Sequence, residues 1–198
     1  FAGVEVDYCR KVETDIRLKL NQFRFDFVIG SIHTLEAGAV SDREIDHFYD
    51  DSTFDRILSE YTDEFTASLA MPELDVIGHA GVFQRYLDEA FFAGKPWKSR
   101  IRDLEETLAQ RAARSGKLLE VNTSGLFSVM HQPCATPFFL ERYLAHGGRR
   151  ITLASDSHAA AHLRRGFKEV APVLSSLGFL EIHLPWDKEH PVPLFDYV

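Results

Sequence analysis

Five residues able to ligate a metal stand within or at the ends of four apolar, strand-like runs. Glu5 lies in Gly3-Val4-Glu5-Val6-Asp7-Tyr8 and His33 closes Ile29-Gly30-Ser31-Ile32-His33. His79 closes Val76-Ile77-Gly78-His79, while Asp156 and His158 close the run that begins at Ile151. Imidazole and carboxylate donors together suit zinc, manganese or iron, and such an ion makes hydroxide available near neutral pH. Repetition of these residue types at strand ends predicts one metal site at the carboxyl mouth of a parallel β/α barrel, where such folds carry their chemistry. The chemistry this implies is metal-dependent hydrolysis.

Each residue has a plainer alternative. A carboxylate at position 5, inside Val4-Glu5-Val6, is costly in a strand covered on both faces unless it is paired or bound to an ion, but an edge position removes that cost. Asp7 shares the parity of Glu5 and is a candidate supporting partner. His33 and His79 read either as ligands or as hydrogen-bonded core histidines. Asp156 and His158 lie two apart in an extended chain and so point the same way; alternatively Asp156 or a neighbouring serine caps a helix over 159–163. Asn122-Thr123-Ser124-Gly125 follows another strand. Asn122 and Ser124 suit an oxyanion or phosphate, and equally suit an Asn/Ser turn. No GxxxxGK[ST] loop and no GxSxG elbow occurs. Histidines 131, 146, 162, 183 and 190 form no metal-spaced pair and read as surface or structural.

The elements that must position these groups alternate strand and helix, which predicts an α/β fold with parallel strands. Strands are expected over about 3–8, 25–33, 75–79, 117–122, 150–156 and 179–184. Helices are expected over 53–70, 99–115, 136–146 and 163–177, with a less regular one over 82–92. Residues 36–42 read as a loop over the mouth, and 190–198, with two prolines, as an irregular tail. The 198 residues suffice for one good core, read here as one domain over 1–198. The formal net charge of −8 argues against a general nucleic-acid surface. No apolar run approaches the roughly 20 residues that cross a bilayer. Cys9 and Cys134 form no CxxC pair and fit a reduced, cytoplasmic setting.

The ordered motifs GVEVDY, FDFVIGSIH, DVIGHAG, LLEVNTSGL and ITLASDSH resemble the PHP (polymerase and histidinol phosphatase) family, in its histidinol-phosphatase branch. The likeness runs from Gly3 to about Phe179. It implies a distorted seven-stranded β/α barrel that holds two or three divalent ions and hydrolyses a phosphoester, histidinol phosphate being the first substrate to expect. Carried over by motif, Glu5, His33, His79, Asp156 and His158 are metal ligands, and Glu5 and Asp156 serve catalysis. Three departures stand out. No HxH pair exists in the chain, Gly81 stands where the branch often has Asp, and Phe127 stands where it usually has a basic residue. With the start at Phe1, the first departure leads us to expect an absent N-terminal segment, a barrel open beside the first strand, and fewer ions in this chain. The rival readings are a non-catalytic PHP-like domain and an amidohydrolase-type barrel.

Overall fold

The computed structural model describes residues 1–41 and 51–198. The expected loop over 36–42 therefore ends outside the described residues, as does the little-patterned stretch 42–48. In chain order the elements are β1 (Gly3–Asp7), α1 (Glu13–Leu20), β2 (Phe27–Ser31), β3 (Thr34–Leu35), β4 (Gly38–Ala39), α2 (Asp51–Ala70), β5 (Val76–Ile77) and α3 (Glu89–Phe92). There follow α4 (Trp97–Ser115), β6 (Leu118–Asn122), α5 (Pro137–Ala145), β7 (Ile151–Ala154), α6 (Phe167–Leu177), β8 (Glu181–Leu184), β9 (Asp187–Pro193) and α7 (Leu194–Tyr197). None of the described helices is long and apolar enough to cross a membrane.

The central sheet is five-stranded, in the order β1-β2-β5-β6-β7, and every pairing in it is parallel. Parallel neighbours need crossovers, and the helices supply them. Sequential order with parallel pairing brings every strand's carboxyl end to one edge of the sheet. All five residues of β6 are buried, as a strand covered on both faces requires. At β1 the burial alternates, and among the described residues no strand pairs with its outer side. The sheet is thus open beside β1. β8 and β9 form a separate antiparallel hairpin that lies against β7.

The helices bury one stripe each. In α4 the buried positions are Trp97, Ile101, Leu104, Glu105, Leu108, Ala109 and Ala112, the spacing of one helical face. Phe54, Phe91 and Trp97 pack together at its start in tilted and edge-on contacts, with ring centroids 4.5 to 5.7 Å apart. A smaller core joins Tyr8, Leu20, Val28, Met71 and Leu74 beneath β1 and α1. The amino ends of the strands are tied by cations. Lys117 donates to the carbonyls of Met71 and Leu74 at 2.8 and 2.5 Å, and Lys188 pairs with Asp75. Asp75 in turn accepts the Val28 N–H at 2.8 Å, and Arg17 meets Glu73 at 2.9 Å.

Some elements differ from expectation. The tail is not irregular: β9 runs through Pro191 and Pro193, which an edge strand tolerates because their missing N–H groups face no partner. The helix expected over 82–92 is two short pieces, a 3₁₀ turn over Val82–Gln84 and α3, whose N-cap Asp88 accepts the Phe91 N–H at 2.9 Å. The last long helix begins at Phe167 rather than 163, after Gly166 at φ +86°. Helix α1 and the β3–β4 hairpin carry no clear pattern, since α1 buries Leu20 alone.

Candidate metal centre

Glu5 sits in the middle of β1, with Ile29 as its partner on β2. His33 lies two residues past the end of β2, and His79 two past the end of β5. The register sets Asp7 beside Ser31, so the chain leaving β2 passes over the end of β1. There Asp7 accepts the His33 N–H at 2.8 Å, and its carboxylate lies 3.7 Å from His33 Nδ1. The parity argument for Asp7 thus has a geometric counterpart. Gly78 allows the next crossing, since a Cβ there would lie 2.2 Å from Ser31 Oγ.

Three electron-pair donors converge in this space. His79 Nε2 is 3.0 Å from Glu5 Oε1, His33 Nε2 is 3.0 Å from His79 Nε2, and His33 Nε2 is 3.6 Å from Glu5 Oε1. Among the described residues these three make the one group whose donor atoms all lie within 4.8 Å. Ligands held at about 2.0–2.1 Å around a tetrahedral zinc are about 3.3 Å apart, so the triangle has the size that one ion needs. The chemistry fits as well. His79 is 4% exposed and its Nδ1 has no hydrogen-bond partner, so the polar contacts of this ring lie on the Nε2 side.

Charge around the group is arranged in depth. The hydrogen bond from His79 holds the Glu5 carboxyl at about 2, against the opposing effect of burial. Burial works against a charged His79 ring, but the bond to Glu5 and the fields of Glu120, Glu5 and Asp156 leave its pKa raised. Glu120, from the middle of β6, is 3% exposed and accepts the His79 N–H at 3.2 Å and Asn122 Nδ2 at 2.7 Å. Burial pushes its carboxyl above the usual range. It shows the same signal that marks Glu5: a carboxylate inside an apolar strand.

The remaining expected residues lie beside this triangle. Asn122 is buried, and its Oδ1 accepts both the N–H and the hydroxyl of Ser124, so it shapes the turn. Ser124 Oγ reaches outward, 3.3 Å from Asp156 Oδ2. Asp156 lies two residues past β7 in the left-handed region, at φ 50°, and Arg85 approaches its carboxylate at 3.4 Å. His158 stands outside the triangle, with its side chain 89% exposed and Nδ1 3.1 Å from the Asp156 carbonyl. The helix-cap alternative is not realised, because the short turn Ala160–His162 has no side-chain cap. Arg85 and Arg165 also line this region, and an arginine in a loop carries no periodic signal in the sequence.

Parallel strands in sequential order, with a His–His–Glu group at their carboxyl edge, form an open stretch of a β/α-barrel-type sheet with a mouth able to hold a metal ion. The PHP domain family matches residues 1–124. The chain belongs to that family. A Thermotoga maritima protein described as a probable histidinol-phosphatase is 29% identical over 134 residues, which cover 67% of this chain and 54% of that protein. A Clostridium acetobutylicum protein of the same description is 25% identical over 167 residues, 84% of this chain and 63% of that one. The chain thus spans less than two thirds of either relative. The histidinol phosphate phosphatase of Lactococcus lactis, solved with zinc, L-histidinol and phosphate, superposes with a TM-score of 0.68. At 19% identity it covers 95% of this chain and 70% of its own, and it shares the fold.

Proposed function

We propose that this chain carries the site of a metal-dependent phosphoesterase acting on a small phosphomonoester, with histidinol phosphate as the first substrate to test. The observation that carries this reading is the triangle of Glu5, His33 and His79. It is supported by the descriptions of the two curated relatives and by the ligands of the Lactococcus enzyme. Glu5, His33 and His79 would hold one divalent ion, zinc by donor type. Asp156 and His158 are the candidate ligands for further ions of a set of two or three. When bound, such ions supply Lewis acidity and a nucleophile at neutral pH.

The chain's own groups do the rest. Glu5 stays ionised throughout the physiological range, so its carboxylate is available to an ion. Asp7 fixes the His33 backbone, and Glu120 fixes that of His79. Asp156 holds a proton of the attacking water, its carboxylate oriented by Arg85. Ser124 and the backbone of its turn face a phosphate oxygen, and Asn122 positions that turn from beneath. A second reading, a PHP-like binding domain with a partial ion set, is favoured by one observation: Asp156 and His158 stand outside the triangle.

The test is phosphate release from histidinol phosphate and from p-nitrophenyl phosphate by the zinc- or manganese-loaded chain. The enzyme reading expects turnover that a chelator abolishes and that Asp156→Asn lowers by about 10²–10⁴-fold, the usual worth of a positioned acid–base group. Asparagine also tolerates the left-handed region, so the variant keeps its fold. Tight zinc binding at the triangle with no phosphate release from either ester would establish the binding-domain reading instead.

A further inference from the structure

Beside Asp156 the mouth continues into a cavity of about 180 Å³, lined by Arg85, Ser124, Phe127, Asp156, His162 and Arg165 among others. Its two arginines differ. Arg85 is committed, with its guanidinium donating to Ser124 Oγ and lying 3.4 Å from Asp156 Oδ2. The Arg165 guanidinium lies over the Phe127 ring, 3.5 Å from its centroid, and among the described residues it forms no ion pair. A cation on an aromatic face keeps its in-plane N–H donors available for an oxyanion.

We propose that Arg165 is the second cation of an oxyanion subsite whose first cation is Arg85, and that the subsite takes the phosphate of the substrate as a dianion. The proposal rests on the phosphoesterase reading and assigns it a residue that lies outside the matched segment 1–124. The position after Ser-Gly-Leu is occupied by Phe127, which supplies a platform rather than a charge. The charge arrives from the loop between β7 and α6.

That loop is seated firmly. Thr123 Oγ1 donates to the Arg165 carbonyl at 2.5 Å and lies 3.1 Å from the Ala154 carbonyl, which brings the exits of β6 and β7 together. The next residue, Gly166, takes φ +86°, and a Cβ there would lie 2.8 Å from Thr123 Cβ. The chain therefore passes Thr123 closely enough to fix where the Arg165 side chain begins. One arginine neutralises Asp156; a phosphate dianion beside that carboxylate calls for a second cation, which Arg165 provides.

The test measures binding of inorganic phosphate to the zinc-loaded chain by calorimetric titration, and KM and kcat for p-nitrophenyl phosphate. Arg165→Ala should weaken phosphate binding at least tenfold and raise KM more than it lowers kcat, with zinc affinity unchanged. Arg165→Lys should recover part of the loss. Moving the cation onto the platform, in Arg165→Ala combined with Phe127→Arg, should recover most of it, which a purely structural role for Arg165 would not allow. Phosphate binding by Arg165→Ala as tight as that of the parent chain would overturn the proposal while leaving the phosphoesterase reading intact. A parent chain that binds zinc but neither phosphate nor ester would overturn both.

Discussion

Glu5 Oε1 faces two imidazole nitrogens at 3.0 and 3.6 Å, so each residue of the triangle is a separate handle on the proposed ion site. Removing a ligand leaves two donors for one ion. His79→Ala should therefore weaken zinc binding by well over tenfold in a competition titration against a chromophoric chelator. Asp7→Asn, which weakens the support behind His33, should cost about 10–100-fold, the usual effect of a partner behind a ligand. Unchanged zinc affinity in His79→Ala would remove the triangle as the metal centre. At this scale the sequence is readable where a polar group interrupts a strong local pattern. Glu5 interrupts a strand, and His33 and His79 follow strands. Arg85 and Arg165 have no such background. They meet because the exits of β5 and β7 face each other across β6, which is a property of strand order and not of any local spacing.

The elements differ in how much of their stability the sequence displays. Helix α4 is legible because its buried positions recur at helical spacing, and Leu108 and Leu119, from the following β6, are fully buried. Truncating either to Ala should cost about 2–5 kcal/mol by chemical denaturation. Helix α1 hides because it covers a small core with few apolar residues, and β9 hides because two prolines mask an edge strand. Glu105 is a polar exception on the apolar face of α4. It is 4% exposed, and its Oε1 accepts from Gln84 at 3.0 Å and from Thr136, the N-cap of α5, at 2.7 Å. Burial pushes its carboxyl above the usual range, so the folded state holds this proton more firmly than the unfolded chain does. The stabilisation is fully present below the unfolded pKa and is lost as pH rises through the folded one. Glu105→Gln, which has no proton to lose, should gain stability relative to the parent as pH increases, read as a widening gap in urea midpoint between pH 5 and pH 8. A gap that stays constant over that range would show that Glu105 is ionised in the fold without penalty.

The whole molecule is an open parallel sheet with unlike borders. On β1 the even-numbered residues face β2, as the Tyr8 N–H does in bonding the Ser31 carbonyl at 2.7 Å, so Glu5 and Asp7 turn their N–H groups to the unpaired side. In this chain, amide hydrogen exchange should be fast at Glu5 and Asp7 and slow at Val4 and Val6, while Leu119 in β6 should be slow throughout. Equal protection along β1 would mean that something else covers that border. The expected opening beside the first strand is therefore present in the sheet, and its place follows from β1 coming first in the strand order. The two ends of the strands also differ. Lys117, Lys188 and Arg17 lace the amino ends to carbonyls and carboxylates, whereas the carboxyl ends carry the candidate ligands and the two arginines. Because the groups that secure the sheet and those of the proposed site sit at opposite poles, the loops at the mouth can diverge in sequence while the fold persists. A library randomised at Ser124, Phe127 and Arg165 should be rich in folded members with altered ligand preference, and one randomised at Lys117, Asp75 and Lys188 should be poor in folded members of any kind.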